Sequence, residues 1–101
     1  MQAATLTAAN SLDIGVTDDC FIVTGNTAIY YISMTGRVAG NRITLVFTGG
    51  PVIHNTEGTV PANYAEIKCD MPWSSSDLDT SLYHNGAISL VYDATYWRVI
   101  A

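Results

Sequence analysis

The sequence predicts an all-β fold, and three observations support this prediction. Apolar and polar residues alternate with a period of two in several short segments, as they do in half-buried strands. Turn residues (Gly, Pro, Asn and Asp) recur about every eight to twelve residues between these segments. No segment carries apolar residues at helical spacing over about three turns. We therefore expect a single domain over residues 1–101, a compact β-sandwich or β-prism-like module of short strands and hairpins.

The clearest strand lies within residues 40–51. Ile43, Leu45 and Phe47 fall on one face and mostly polar side chains on the other, so we expect these three residues to face the core. Val46 is the apolar exception on the outer face. Glycine opens the segment and Gly-Gly-Pro closes it, because glycine relaxes the backbone and proline cannot donate to a strand ladder.

The remaining strands follow from composition in chain order. Segments rich in β-branched, aromatic or alternating apolar residues predict strands at residues 5–7, 20–24, 28–34, 52–54, 64–69, 82–84, 87–92 and 96–100. The segment 28–34 is apolar on both faces, so we expect it to be buried on both. The last two strands form a hairpin over residues 93–95, and residues 70–81 form the longest irregular segment.

The scarcity of charge predicts an oligomer. Only 13% of the residues are Asp, Glu, Lys or Arg, against about 25% in ordinary soluble domains, while 49% are apolar. A small domain has a large surface for its volume and should carry more charge rather than less. We expect part of the surface to be covered by other copies of the chain. The alternative is a monomer whose surface is neutral and rich in Ser, Thr and Asn.

Charge and hydropathy also exclude some functions. The net charge is −5, and the four basic residues Arg37, Arg42, Lys68 and Arg98 are scattered, so we expect no nucleic-acid binding. No apolar run approaches about 20 residues, so we expect no membrane insertion. The N-terminal residues lack the pattern of a signal peptide, and Met1 is either a natural start or the start of a fragment.

The two cysteines, Cys20 and Cys69, sit in segments with strand character. Neither belongs to a redox or zinc motif. We expect two buried free thiols, because a free cysteine behaves as a small hydrophobic residue. A single internal disulfide is the alternative, and the sequence leaves the choice open.

The sequence gives no catalytic, cofactor or metal site. His54 and His84 lack a serine or cysteine motif, so we expect structural histidines and no catalytic residue. Asp77 and Asp79, with Asp70 nearby, could supply oxygen ligands to calcium. No EF-hand spacing or glycine supports such a site, so we expect a solvated acidic loop and no bound metal or cofactor.

Aromatic residues in irregular segments are the candidates for ligand binding. Tyr and Trp combine a ring that stacks with a polar group that forms hydrogen bonds, so they suit sugar faces and wet interfaces. Loops carry binding residues more often than cores do. We name Trp73, Tyr83 and Tyr64 as possible glycan contacts. In the alternative, Trp73 fills a trimer axis or the core of its own loop. Trp97 alternates with Val99 and is expected in the core.

Four runs of the sequence resemble a pattern found near the C-termini of tail spikes and tail fibres of tailed phages. They are residues 21–29, 36–47, 54–55 and the closing run 88–99, which is similar to the final hairpin of that family. The chain departs from the pattern at two places. The segment from Asp70 to His84 is longer than the family leads us to expect, and Ala94 stands where the family usually has glycine.

This resemblance implies a β-structured, trimeric C-terminal module that follows a β-helical or fibrous shaft, registers three chains and caps the fibre. It implies a homotrimer in the virion tail, exposed to the medium after release, that supports host attachment without catalysis of its own. One alternative is a carbohydrate-binding module that presents aromatic loops to host-cell polysaccharide. Another is the non-catalytic tail of a polysaccharide depolymerase whose active site lies upstream.

Overall fold

The computed structural model describes residues 4–54, 60–68, 78–79 and 86–100, and it confirms the all-β class. These ranges contain ten strands and no helix. The strands are β1 (Ala4–Thr7), β2 (Ser11–Leu12), β3 (Cys20–Thr24), β4 (Tyr31–Ser33), β5 (Arg42–Phe47), β6 (Val52–Ile53), β7 (Tyr64–Lys68), β8 (Leu78–Asp79), β9 (Ala87–Tyr92) and β10 (Trp97–Val99).

Eight strands form one mixed sheet that is nearly closed into a barrel. Their order is β1-β3-β5-β9-β10-β7-β4-β2, so the two edge strands are the first two strands of the chain, joined by residues 8–10. The sheet therefore has two halves of four strands, β1-β3-β5-β9 and β10-β7-β4-β2, that meet at the β9–β10 hairpin. Strands β6 and β8 form a separate antiparallel pair, so the expected irregular segment 70–81 contains a short strand.

The first half of the chain winds in parallel, as a β-solenoid does. Strands β1, β3 and β5 are parallel neighbours in one half of the sheet, and β2 and β4 are parallel neighbours in the other. The chain therefore passes from one half to the other and returns in the same direction. The chain crosses first from β1 to β2 and then from β3 to β4. A third pass follows β5, where Ile53 forms an isolated parallel bridge with Ile29.

The parallel winding ends at antiparallel strands. Strand β9 runs antiparallel to β5, and β7 runs antiparallel to β4. At the other side of the sheet, β1 and β2 have a neighbour on one flank only among the described residues. Within the described residues, the sheet thus has an open edge at β1 and β2 and a reversal of strand direction at the opposite end of the winding.

The core lies between the two halves of the sheet. The residues of β5 that face it are those predicted from the sequence. Ile43, Leu45 and Phe47 are buried, whereas Arg42 is exposed and Val46 is partly exposed on the outer face. Register places core residues in rows, of which the longest is Ala4, Phe21, Leu45 and Ile88. These rows stack apolar side chains from successive strands and remove them from water.

The strand predicted at 28–34 is shorter than expected. Only Tyr31–Ser33 is a strand. Ile32 on one face and Ser33 on the other are both buried, whereas Tyr31 is partly exposed, so the expected burial on both faces holds for only part of the segment. The amides of Tyr30 and Tyr31 both donate to the carbonyl of Asn10, at 2.9 and 3.0 Å. Two consecutive amides with one acceptor are incompatible with the alternating ladder of a regular strand, so the strand begins only at Tyr31.

Trp97 is in the core, as predicted. Its side chain is fully buried, and its indole Nε1–H donates to the carbonyl of Ser33 at 3.2 Å. Its ring centroid lies 5.1 Å from that of Tyr92. A buried indole N–H needs an acceptor, and the Ser33 carbonyl provides it. This bond connects β10, the last strand, to β4.

The β9–β10 hairpin exists as predicted, and its turn is ordered by Asp93. The Oδ1 atom of Asp93 accepts hydrogen bonds from the amides of Thr95 and Tyr96, at 2.8 and 2.6 Å, and Oδ2 pairs with the guanidinium of Arg98. The Tyr96 amide, followed by Arg98, lowers the pKa of Asp93 from 3.8 to about 2. Ala94 has φ +76°, a left-handed conformation in which glycine has no steric penalty.

We expect Ala94→Gly to stabilise the protein by about 0.5–1 kcal/mol, because the substitution removes the clash of Cβ in the left-handed region and retains the turn. Urea unfolding followed by circular dichroism measures this change. Ala39→Gly is the matched control, since Ala39 is an exposed turn residue whose φ is not positive. A midpoint for Ala94→Gly at or below that of the wild type would show that the turn is not strained.

We expect Asp93→Asn to weaken the acid dependence of stability. The folded-state pKa of Asp93 lies below its unfolded value, so its contribution is present above about pH 4 and is lost as the pH falls toward 2. Wild type should lose more stability than Asp93→Asn between pH 4 and 2, and should be the more stable protein at pH 5. Urea midpoints at pH 5, 4, 3 and 2 test this. Equal slopes in the two proteins would contradict the role given to Asp93.

Candidate functional site

A pocket of about 340 Å³ lies where β2 and β4 end and β7 begins. It is lined by Asp13, Gly15 and Val16 from the segment after β2, by Ser33 and Thr35 from the end of β4, and by Asn63 and Tyr64 from the start of β7. Ser33 and Tyr64 are direct partners in the antiparallel β4–β7 pair. The pocket therefore depends on a contact between segments that are far apart in the sequence.

Asp13 is held in place by one of its two carboxylate oxygens. Its Oδ1 atom accepts hydrogen bonds from the Gly15 amide at 3.0 Å and from the Ser33 hydroxyl at 3.2 Å. The same hydroxyl oxygen accepts a bond from the Ile14 amide at 2.8 Å. Within the described part of the chain, Oδ2 of Asp13 has no hydrogen-bond partner. The carboxylate is thus oriented by the fold and keeps one free acceptor.

The side chain of Arg37 holds the segment after β2 in place through hydrogen bonds. Its guanidinium donates to the carbonyl of Gly15 at 3.1 and 3.3 Å and to the carbonyl of Asp18 at 2.6 Å. It also pairs with the carboxylate of Asp19 at 2.8 Å. The Arg37 side chain is only 3% exposed, and these acceptors replace water as the hydrogen-bond partners of its guanidinium. The wall of the pocket is therefore built from a fixed loop.

The opposite wall is formed by Asn63, Thr35 and Tyr64. Asn63 has φ +69°, and its carbonyl accepts the amide of Met34 at 3.0 Å, which fixes its backbone. The side chains of Asn63, Thr35 and Tyr64 form no hydrogen bond with other described residues. The lining residues that the structure describes include one carboxylate and no Lys or Arg. These residues can therefore donate and accept hydrogen bonds, and together they carry a single negative charge.

A second surface lies on the outer face of β3, β5 and β9, beside the row formed by Arg42 and Val91, and we call it the neutral face. Register aligns Ile22 with Val46 and Val46 with Ala87 across the three strands. The hydroxyls of Thr44 and Ser89 approach to 3.4 Å in the next row. Every member is partly exposed and none carries a formal charge; they are Cys20, Ile22, Thr24, Thr44, Val46, Ala87 and Ser89.

The three residues named as possible glycan contacts divide between described and undescribed parts of the chain. Tyr64 is described, is partly buried, and lines the pocket. Trp73 and Tyr83 lie outside the described residues. The sequence did not predict a role for Asp13, Thr35 or Asn63, because these residues stand between strands and belong to no chemical motif. Only the pairing of β4 with β7 brings them to Tyr64.

The other residues considered from the sequence are placed as follows. Cys20 is a free thiol but is partly exposed on the neutral face rather than buried, and Cys69 lies outside the described residues. The ring of His54 stacks on that of Tyr30, with centroids 4.3 Å apart. The side chains proposed for calcium, Asp70, Asp77 and Asp79, and the second imidazole, His84, also lie outside what the structure describes.

The described residues contain no group of three or more His, Cys, Asp or Glu that could hold a metal ion. Nor do they form any helix with the length and apolar character needed to cross a membrane. Comparison of the chain with protein-family models, with curated proteins and with solved structures finds no match.

Proposed function

We propose that this chain is a trimerisation and capping module at the C-terminal end of a phage tail spike or tail fibre, where it supports attachment to the host surface. One observation carries the proposal: strands β1, β3 and β5 wind in parallel from an open edge and stop at antiparallel strands. A module with this architecture can continue a β-helical shaft at one edge and terminate it at the other.

The open edge is suited to receive another parallel strand. The Ala8 amide donates to the carbonyl of Thr24 at 2.7 Å, so Ala8, and by alternation Leu6 and Ala4, direct their backbone groups toward β3. Thr5 and Thr7 therefore direct theirs away from the sheet. An exposed row of amides and carbonyls is a template for pairing, and the last coil of a shaft would satisfy it.

The opposite end of the winding is suited to stop further pairing. Strands β9 and β10 form a hairpin that covers β5, and β7 covers β4. Because the hairpin also joins the two halves of the sheet, no parallel edge is left at this end within the described residues. This arrangement supports a capping role, since closure removes an edge that would otherwise invite association between fibres.

The neutral face supports trimerisation. Its seven members lie on three neighbouring strands and are uncharged, with Arg42 at its margin on β5. Depletion of charge is typical of the centre of a subunit interface. It also belongs to the half of the sheet that contains the parallel strands β3 and β5. In this proposal the module has no catalysis of its own, and any depolymerase activity of the parent protein lies in an upstream domain.

We expect the wild-type chain to be a trimer at micromolar concentration, by size-exclusion chromatography with light scattering. Val46→Glu should give a folded monomer, because Val46 is at the centre of the neutral face and a charge there would be buried between subunits. Val38→Glu is the matched control, since Val38 is exposed outside this face and its substitution should leave the trimer intact. A monomeric wild type would contradict the trimer.

We expect the chain to stabilise a parallel β-solenoid to which it is fused. A designed solenoid of a few coils, joined upstream of β1, should melt at a higher temperature with the full chain attached than without it. Thr5→Pro should remove this gain, because proline blocks pairing at the outer edge without removing a bond to β3. If the wild-type chain does not raise the melting temperature of the solenoid, or if the Thr5→Pro chain raises it equally, the capping role is contradicted.

A further inference from the structure

We propose that the pocket between β2, β4 and β7 binds a neutral sugar residue. The inference rests on the lining side chains and does not depend on the oligomeric state. The pocket lies in the β10-β7-β4-β2 half of the sheet, whereas the neutral face lies in the other half. Subunit contacts over the neutral face would therefore leave this pocket open to ligand.

The charge of the pocket selects against anions. Asp13 is the one charged residue among the described residues of the lining, and the chain as a whole carries a net charge of −5. Arg37 is not among the described lining residues, and its guanidinium is bonded to Gly15, Asp18 and Asp19. A carboxylate or phosphate ligand would meet repulsion without a compensating cation.

The free polar groups match a compound rich in hydroxyls. Oδ2 of Asp13 accepts hydrogen bonds only, and a sugar hydroxyl is a suitable donor to it. The amide of Asn63 both donates and accepts, as do the hydroxyls of Thr35 and Tyr64. Sugar hydroxyls also have both capacities, so one pyranose ring could satisfy several of these groups together. The Asp13 carboxylate is held by Gly15 and Ser33, and the backbone of Asn63 is held by Met34, so part of the site is ordered before a ligand binds.

The apolar part of the lining suits the C–H face of a sugar ring. Tyr64 supplies an aromatic ring, and Val16, which is 57% exposed, supplies an aliphatic rim that a ligand would shield from water. The volume of about 340 Å³ lies at the lower end of the range of about 300–1,000 Å³ for small-molecule sites. We therefore assign one or two sugar residues to the pocket rather than a long oligosaccharide.

The experiment is a two-dimensional NMR titration of the full chain with the methyl glycosides of glucose, galactose, mannose and N-acetylglucosamine. At least one neutral glycoside should shift the amides of Gly15, Asn63 and Tyr64 in a saturable way. Methyl glucuronoside, which adds a carboxylate, should bind at least tenfold more weakly than the corresponding glucoside. No saturable shift at these amides with any neutral glycoside, or equal binding of the glucuronoside, would overturn the proposal.

Two variants test the assigned contacts without removing the structural ones. Asn63→Gly retains a residue that tolerates positive φ and deletes the amide side chain, so binding should fall about tenfold, the equivalent of about 1.4 kcal/mol. Asp13→Asn retains the Oδ1 acceptor for Gly15 and Ser33 but replaces Oδ2, and should weaken binding as well. Thr27→Ala, at an exposed position outside the pocket, is the control. Unchanged binding by both folded pocket variants would overturn the proposal.

Discussion

The structure depends on the register between parallel strands that are distant in the sequence. Parallel neighbours need a long connection, and here each connection crosses to the other half of the sheet before the chain returns. The register aligns Phe21 with Leu45, and Leu45 with Ile88, so apolar side chains from two parallel strands and from the antiparallel strand β9 form one continuous row. Burial of these rows between the two halves offsets the entropy lost in ordering the connections.

The same winding determines which surfaces are available. It leaves β1 and β2 at an edge of the described sheet, and it places the seven uncharged side chains of the neutral face on the outside of β3, β5 and β9. It also brings the ends of β2 and β4 beside the start of β7. Three distinct roles follow from three places on one sheet: continuation of a shaft, association of subunits and binding of a small ligand. Each uses different residues, so the three proposals can fail independently.

Local physical chemistry made much of the fold predictable. Period-two alternation correctly predicted that Ile43, Leu45 and Phe47 face the core. Turn residues correctly predicted the position of the last hairpin. The parallel order of the strands was not predictable in the same way, because a strand's own sequence does not encode the direction of its neighbour. Tyr64 is the one described pocket residue that the sequence predicted as a possible ligand contact. Asp13 and Asn63 looked like ordinary turn residues, and only the β4–β7 register gives them a shared environment.

The central claim is that β3 and β5 are parallel neighbours in the register Phe21 to Leu45 and Val23 to Phe47. Nuclear Overhauser effects between backbone protons of these strands test it most directly. The account predicts the evenly repeated amide-to-α-proton contacts of a parallel ladder, with the Thr44 and Thr48 amides near residues 19 and 23. Strong contacts between opposed α-protons, which are the mark of antiparallel pairing, would contradict the parallel winding on which the edge and the neutral face depend.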